Sequence, residues 1–204
     1  MNSSLVGSTS GSSTTQSPMA KGKLIVISAP SGCGKTTIAK AILAKYPTML
    51  FSVSATTRSS RAGEVNGRDY FFLTRQEFED CMRTGDLVEW EEIYGNYYGT
   101  LKSEIHRALD HGYSMMFDVD VKGALSIRRH FPNDSVLIFI KPPSMEVLKK
   151  RLENRKTENP ETLKRRLDRV PMELKQGSQL DYQVVNDDLN TAVAEVDAIV
   201  QKKI

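Results

Sequence analysis

The residues best suited to chemistry form one short turn near the beginning of the chain. Residues 29–36 read Ala-Pro-Ser-Gly-Cys-Gly-Lys-Thr, which completes the phosphate-binding pattern G-x-x-x-x-G-K-[ST] except that Ala29 stands at the first glycine position. Gly32 and Gly34 allow backbone conformations that are closed to residues with a Cβ, so successive N–H groups can point at phosphate oxygens. The pattern predicts a nucleotide-phosphate site built from Ala29, Pro30, Ser31, Gly32, Cys33, Gly34, Lys35 and Thr36.

Two side chains at the end of this turn are expected to contact the nucleotide most closely. Lys35 is predicted to lie between the β- and γ-phosphates, facing solvent when no ligand is bound, and the Thr36 hydroxyl to coordinate Mg²⁺ together with nucleotide oxygens. The plainer interpretation is a Gly/Ser turn with an exposed lysine. The order of elements favours the phosphate site, because an apolar run at 24–27 precedes the turn and a helical pattern at 35–45 follows it.

A pair of carboxylates follows a second apolar run. Residues 113–119 are typical of a buried strand, and Asp118 and Asp120 stand at its end, where alternation with period two turns both side chains to the same face. Ligands of open α/β sheets bind at the carboxyl ends of strands, so both acids are expected on the side of the phosphate turn. A helix N-cap plus a solvated aspartate is the alternative, and it would account for one of the two.

Basic residues concentrate in one segment, although the net charge of the chain is only +3. Between Lys149 and Arg169, nine Lys/Arg and four Asp/Glu give a local charge of +5, so the remainder carries −2. Such a cluster suggests an anionic ligand more than a nucleic-acid coat, because the interleaved aromatic residues of a single-strand platform are missing from it. Two more arginines, Arg58 and Arg61, follow an alternating segment at 51–57.

Length and composition indicate a soluble protein with one domain of ordinary size, or a core carrying small inserted subdomains. The chain has 204 residues, 39% of them apolar, and its longest apolar runs are about six residues, far short of a membrane span. Cys33 and Cys81 are its only cysteines, which favours a reducing, cytoplasmic setting. Residues 1–18 are almost entirely small and polar and are predicted to be a disordered leader; a start assigned upstream of Met19 or a remnant of an expression tag fits them equally.

The periodicity of the chain predicts βα units around a parallel sheet, with a small mixed insertion at 52–100. The predicted strands are 24–27, 51–57, 69–73, a pair within 87–100, 113–119, 135–140 and 182–185. The predicted helices are 35–45, one from the capping box Thr74–Glu77 to Gly85, 102–111, one opening at Ser144, one with Asn159 as N-cap and Pro160 in its first turn, and one at the C-terminus. Pro171 should kink or break its helix near Val170.

With these motifs in order, the chain from about Lys23 to Ile204 resembles the guanylate kinase family. The matching blocks are the phosphate turn, 52–64 with 67–70, 89–90 with 95–100, 118–120, 142–144, 151–155 and 184–187. The resemblance implies one domain at 19–204, with a P-loop NTPase-type parallel sheet flanked by helices as ATP-binding core (22–51, 101–143 and 170–204), an inserted mixed α/β GMP-binding subdomain (52–100) and a small helical lid (144–169).

The resemblance also implies substrates and roles. ATP would donate a phosphoryl group to GMP or dGMP with Mg²⁺ as cofactor, in purine nucleotide metabolism, with no nucleic-acid or membrane partner; a monomer and a dimer both stay open. The GMP phosphate would be held by Arg58, Arg61, Tyr70 and Tyr98, and guanine would be read by Ser54, Glu89, Thr100 and Asp120. Asp118 would organise Mg²⁺ with Thr36, Asn186 would lie beside adenine, and the transferring group would be clamped by Arg151, Arg155 and Arg166. Catalysis would rest on Lys35, Arg58, Asp118 and these three arginines, by positioning and charge neutralisation without a general base.

Three residues depart from the family pattern. Ala29 replaces the first glycine of the turn, a variant that the family also shows. Lys122 stands where a glutamine is usual, and Pro171 where the family usually continues its helix. The second departure bears on hydrogen bonding near Asp120, and the third on the lid.

Three other functions compete with this interpretation. A kinase for a different nucleoside monophosphate is disfavoured by Glu89 and Asp120, which can accept from guanine N–H groups. A non-enzymatic interaction module of the same fold is disfavoured by the intact Lys35 and Thr36. A nucleic-acid binder is disfavoured because the basic segment is explained by the solvated faces of two helices.

Overall fold

Strands and helices alternate along most of the chain in the computed structural model, which describes residues 22–93, 95–154 and 160–204. The strands are β1 (Leu24–Ser28), β2 (Leu50–Phe51), β3 (Ala55–Thr56), β4 (Phe71–Phe72), β5 (Leu87–Ile93), β6 (Asn96–Leu101), β7 (Met115–Asp118), β8 (Ser135–Lys141) and β9 (Tyr182–Val185). The helices are α1 (Lys35–Lys45), α2 (Arg75–Thr84), α3 (Lys102–Asp110), α4 (Val121–His130), α5 (Met145–Glu153), α6 (Pro160–Gly177) and α7 (Leu189–Gln201).

β1 is the central strand of a parallel sheet whose order is β2-β7-β1-β8-β9. Leu24 and Val26 pack into one hydrophobic cluster with residues of α3 and α4, and Ile25 and Ile27 pack into another with residues of α1 and α7. A continuous apolar strand suits this position, because helices cover both faces of a parallel sheet. The predicted α/β fold, with a parallel sheet flanked by helices, is therefore confirmed.

A second, four-stranded sheet has the order β4-β3-β6-β5. β5 and β6 form the predicted antiparallel pair, whereas β3 and β4 run parallel, so the sheet is mixed. The predicted capping box begins α2: the Thr74 hydroxyl accepts from the Glu77 N–H, and the Glu77 carboxylate accepts from the Thr74 N–H. Phe78 on α2 is fully buried in the small core of this sheet, with Leu73 packed against it.

The single strand predicted at 51–57 is wrong, because the structure divides it between the two sheets. β2 pairs with β7 in the parallel sheet, and β3 pairs with β4 and β6 in the mixed sheet. The backbone changes partner between them: the Ser52 N–H donates to the Met116 carbonyl, and the Ser54 carbonyl accepts from the Phe71 N–H, both at 2.9 Å. Side-chain alternation does not distinguish one strand from two that continue in the same direction.

Of the kink or break predicted near Val170, the break is wrong, since α6 is one continuous helix from Pro160 to Gly177. The kink stays a prediction. Val170, just before the proline, is fully buried, and Leu174 after it packs against the same core cluster. Burial on both sides of the proline holds the helix together despite the hydrogen bond that the ring removes. The predicted N-cap Asn159 lies outside the described residues. Among the residues that the structure describes, no helix is both long enough and apolar enough to cross a membrane.

Candidate functional site

The phosphate turn joins β1 to α1 and contains two glycines in the left-handed region of backbone space. Gly32 has φ 91° and Gly34 has φ 83°, values that residues with a Cβ rarely adopt. A Cβ on Gly34 would also lie 2.5 Å from Asn186 Nδ2, so this position has no room for a side chain. Gly34 is the N-cap of α1 and supplies no side-chain cap, which suits a helix start that binds an anion.

Lys35 and Thr36, the first residues of α1, both contact Asp118 at the end of β7. Lys35 Nζ lies 2.7 Å from Asp118 Oδ1 and also donates to the Val119 carbonyl at 2.9 Å. The Thr36 hydroxyl donates to Asp118 Oδ2 at 2.7 Å. The expectation that Lys35 faces solvent without a ligand is wrong: its side chain is only 22% exposed, because the carboxylate holds the ammonium group.

Two of these groups, Thr36 and Asp118, fit a magnesium ion bound together with a nucleotide. Thr36 and Asp118 present hard oxygen atoms within hydrogen-bond distance of each other at the foot of the phosphate turn. Mg²⁺ prefers oxygen ligands and usually takes one or two from protein, the rest from phosphates and water. The donor set therefore has the chemistry and the number of protein ligands that this ion uses beside phosphates.

The turn is also supported by the last part of the chain. Asn186, which is 5% exposed, donates from Nδ2 to the Cys33 carbonyl at 2.8 Å. Arg151 on α5 donates to the carbonyls of Asn186 and Asp187 at 2.8 and 3.2 Å. Arg151 and Asn186 line a cleft of about 270 Å³ beside Gly32 and Gly34, where the adenine of ATP is predicted to lie.

The other arginines predicted to clamp the transferring group lie on or before α6. Arg166 donates a hydrogen bond to the Ser31 hydroxyl in the phosphate turn, which places its guanidinium at the site. Arg155 lies outside the described residues, so its role stays a prediction.

A second cleft, of about 610 Å³, lies between the mixed sheet and the start of α4. Ser54, Glu89 and Asp120 line it, and the Thr100 hydroxyl donates to Glu89 Oε1 at 2.8 Å. Asp120 is also the N-cap of α4, accepting from the Gly123 N–H at 2.8 Å. The capping interpretation thus holds for Asp120 without removing it from the cleft, and the structure brings all four predicted guanine-reading residues together.

The electrostatics of this cleft favour a ligand that donates hydrogen bonds. Burial raises the pKa of the Glu89 carboxyl; the hydrogen bond from Thr100 opposes the shift, and the charges of Asp120 and Glu91 add to it. A partly buried carboxylate beside another acid is costly unless donors satisfy it. Adjacent N–H groups on a ligand would supply those donors.

The residues predicted to hold the GMP phosphate form a cluster beside this cleft. Arg58 makes a bidentate ion pair with Glu64 at 2.8 and 3.0 Å, and its guanidinium lies 5.2 Å from the centroid of the Tyr70 ring. The rings of Tyr70 and Tyr98 meet edge to face at 6.1 Å. Arg61 is exposed and contributes its backbone N–H to Glu64 at 2.7 Å. Glu64 therefore accepts hydrogen bonds from the same Arg58 N–H groups that a bound phosphate would need.

Sequence analysis missed several residues that line the site. The phosphate cleft itself, about 340 Å³, is lined by residues 29–37 and also by Glu91, Asp120, Arg169 and Glu173. Arg129 lines the second cleft together with Lys122, which the sequence had already placed near Asp120. Arg169 and Glu173 could have been found from their helical spacing, because they follow Arg166 at intervals of three and four.

Comparisons with known proteins point to one family. Residues 21–203 match the sequence profile of the family described as guanylate kinase. The chain is 48% identical over 175 residues to a guanylate kinase from Chlorobium luteolum, covering 86% of this chain and 89% of the relative, and 49% identical over 176 residues to one from Chlorobaculum tepidum, covering 86% and 90%. It is also similar to the crystal structure of guanylate kinase from Anaplasma phagocytophilum, with a TM-score of 0.67, 30% identity, and coverage of 91% and 88%.

Proposed function

The chain belongs to the guanylate kinase family of phosphotransferases, and from this premise we propose that it moves the γ-phosphoryl group of ATP onto the phosphate of GMP in line and without a general base. We propose dGMP as a second acceptor, because the predicted contacts reach the base and the phosphate and not the 2′ position of the sugar. The expected biological role is GMP recycling within purine nucleotide metabolism.

The observation that carries this proposal is that the two clefts adjoin. Asp120 and Glu91 line both the phosphate cleft and the carboxylate-lined cleft. A triphosphate held by the turn and a nucleotide held between Ser54 and Glu89 would therefore approach each other end to end. In-line transfer needs this arrangement of donor and acceptor.

The chemistry follows from the charges of the two substrates. A phosphate monoester is already anionic at neutral pH, so the acceptor needs no base to make it a nucleophile. The obstacle is repulsion between two polyanions, which Lys35, Arg151, Arg155 and Arg166 are proposed to neutralise. Arg58 is proposed to leave Glu64 for the acceptor phosphate, to which its planar fork can donate bidentately.

The proposal also names the magnesium ligands and the parts of the chain that bind each substrate. Thr36 and Asp118 would hold Mg²⁺, which neutralises phosphate charge when it is bound. Residues 22–51, 101–143 and 170–204 are proposed as the ATP-binding core, 52–100 as the GMP-binding insertion and 144–169 as a lid that excludes water. We also propose a cytoplasmic setting, since neither Cys33 nor Cys81 forms a disulfide.

A coupled ADP-release assay tests the function. Enzyme, ATP and Mg²⁺ are mixed separately with GMP, dGMP, AMP, UMP and CMP, and ADP release without an acceptor gives the background. GMP and dGMP should each support turnover well above the other three. Equal use of AMP or a pyrimidine nucleotide would indicate a different monophosphate kinase. ATP binding without turnover on any acceptor would indicate an interaction module.

A further inference from the structure

Arg169 lies on α6. On the basis of the proposed function, we propose that Arg169 is a further catalytic residue, one that contacts the γ-phosphoryl group of the bound triphosphate beside Lys35.

The geometry of α6 places Arg169 at the phosphates. Arg166, Arg169 and Glu173 are spaced i, i+3 and i+7, so they share one face of the helix. Arg166 donates to Ser31 of the phosphate turn, which shows that this face meets the turn. Arg169 and Glu173 line the phosphate cleft together with residues 29–37.

The guanidinium of Arg169 lies near the cleft, and its contacts with two carboxylates are long. Its Nη2 lies 3.9 Å from Asp120 Oδ2, and its Nε lies 3.8 Å from Glu173 Oε1. Both distances exceed that of a good hydrogen bond. The side chain of Arg169 donates no hydrogen bond to any other residue that the structure describes, so its five N–H groups are available to a ligand. The side chain is 59% exposed and can reach an incoming phosphate.

The neighbouring charges indicate which phosphate it would meet. Lys35 is paired with Asp118 at the foot of the turn, and Arg169 stands at the Asp120 end, toward the second cleft. If the acceptor occupies the second cleft as proposed, the terminal phosphoryl group of a triphosphate anchored by the turn would point toward that end. Glu173, 13% exposed, lies 3.8 Å from Arg169 Nε and would position the guanidinium. An arginine suits this place because its fork can grip two oxygens of one phosphoryl group.

The test compares Arg169→Gln with the matched control Arg165→Gln. Arg165 lies on the same helix, is 79% exposed, pairs with Glu161 at 2.7 Å and lines neither cleft. Calorimetry measures the affinity for magnesium tripolyphosphate and for magnesium pyrophosphate, which imitate the phosphates of ATP and ADP. Arg169→Gln should weaken tripolyphosphate about tenfold and leave pyrophosphate unchanged, as expected for one charged hydrogen-bonding contact. The control should change neither.

Turnover gives a second readout. Arg169→Gln should lower kcat/KM for ATP about 10- to 100-fold, and Arg169→Lys should recover part of the loss. Glu173→Gln should lower kcat/KM for ATP less than Arg169→Gln does. The double variant Arg169→Gln/Glu173→Gln should have the same kcat/KM as Arg169→Gln alone, because Glu173 acts through the arginine. Circular dichroism checks that each variant is folded.

Two outcomes would overturn the inference. Equal weakening of both polyphosphates would indicate a general structural effect on the turn. Behaviour identical to Arg165→Gln would show that Arg169 touches no phosphate. The polyphosphate measurements need no acceptor, so they remain decisive even if the enzyme did not use GMP.

Discussion

Glu89→Gln tests the proposal that Glu89 reads the base of the acceptor nucleotide. The change keeps the size of the side chain and removes its charge. Gln Oε1 can still accept from the Thr100 hydroxyl, which lies 2.8 Å from Glu89 Oε1, so the local structure should survive. In the proposed complex, guanine would offer the Glu89 carboxylate two adjacent donors, its ring N–H and its exocyclic amine. An amide accepts from one of them and presents its own N–H to the other.

The expected size of the effect follows from that mismatch. A hydrogen bond to a charged group contributes about 1.5–3 kcal/mol, and a donor facing a donor costs a similar amount. Losing one such bond and weakening the other should lower kcat/KM for GMP by about 100- to 1,000-fold. AMP should gain relative to GMP, because adenine presents a ring lone pair where guanine has an N–H. The ratio of kcat/KM for GMP to kcat/KM for AMP should therefore decrease.

The thermal stability of Glu89→Gln should not fall with its activity. Burial raises the pKa of Glu89, so the folded protein holds its proton more tightly than the unfolded chain does. The stability this carboxyl contributes is then fully present below its unfolded pKa and is lost as pH rises through the raised folded value. At neutral pH the charge is a cost, and Glu89→Gln should leave the Tm unchanged or raise it.

Steady-state kinetics with GMP and AMP, calorimetric Tm and a pH profile check this reasoning. Wild-type kcat/KM for GMP should fall on the acid side as Glu89 becomes protonated, and that decline should be weaker in Glu89→Gln. Thr100→Val is the comparison: it removes a hydroxyl that can act as donor or acceptor and keeps the carboxylate. Because the hydroxyl discriminates less between bases than the carboxylate does, the preference for GMP over AMP should persist. Unchanged GMP kinetics in Glu89→Gln would show that the base is read elsewhere.

Three further predictions concern the phosphate turn. Lys35→Ala should stay folded by circular dichroism yet lose turnover by orders of magnitude, because Lys35 is the group proposed to lie between the β- and γ-phosphates; near-normal turnover would remove the basis for the phosphate site. Gly34→Ala should lower the free energy of unfolding by about 1–3 kcal/mol and abolish ATP binding, since φ is 83° and Asn186 fills the space, whereas Ala29→Gly should change activity little. Asn186→Ala should lower the affinity for magnesium tripolyphosphate about tenfold, because it removes the hydrogen bond to the Cys33 carbonyl. If the affinity for tripolyphosphate stayed unchanged while that for ATP fell, Asn186 would contact only the adenine.

The sequence by itself determined the features that depend on neighbouring residues. The strand before the turn, the two glycines and the helix at Lys35 could be predicted because their signals are local: an apolar run, residues able to adopt positive φ, and a helical spacing. The capping box at Thr74 and the strand pair around Gly95 were predicted for the same reason. The order of the motifs was enough to indicate the family.

Only the tertiary structure decided which residues meet across long separations. The pairing of Lys35 with Asp118, the support of Cys33 by Asn186 and the approach of Arg169 to Asp120 join parts of the chain that no local pattern links. Strand pairing also divided the segment at 51–57, and burial of Val170 kept α6 continuous through Pro171. Packing settled these points because its energy depends on side chains that come together only when the chain folds.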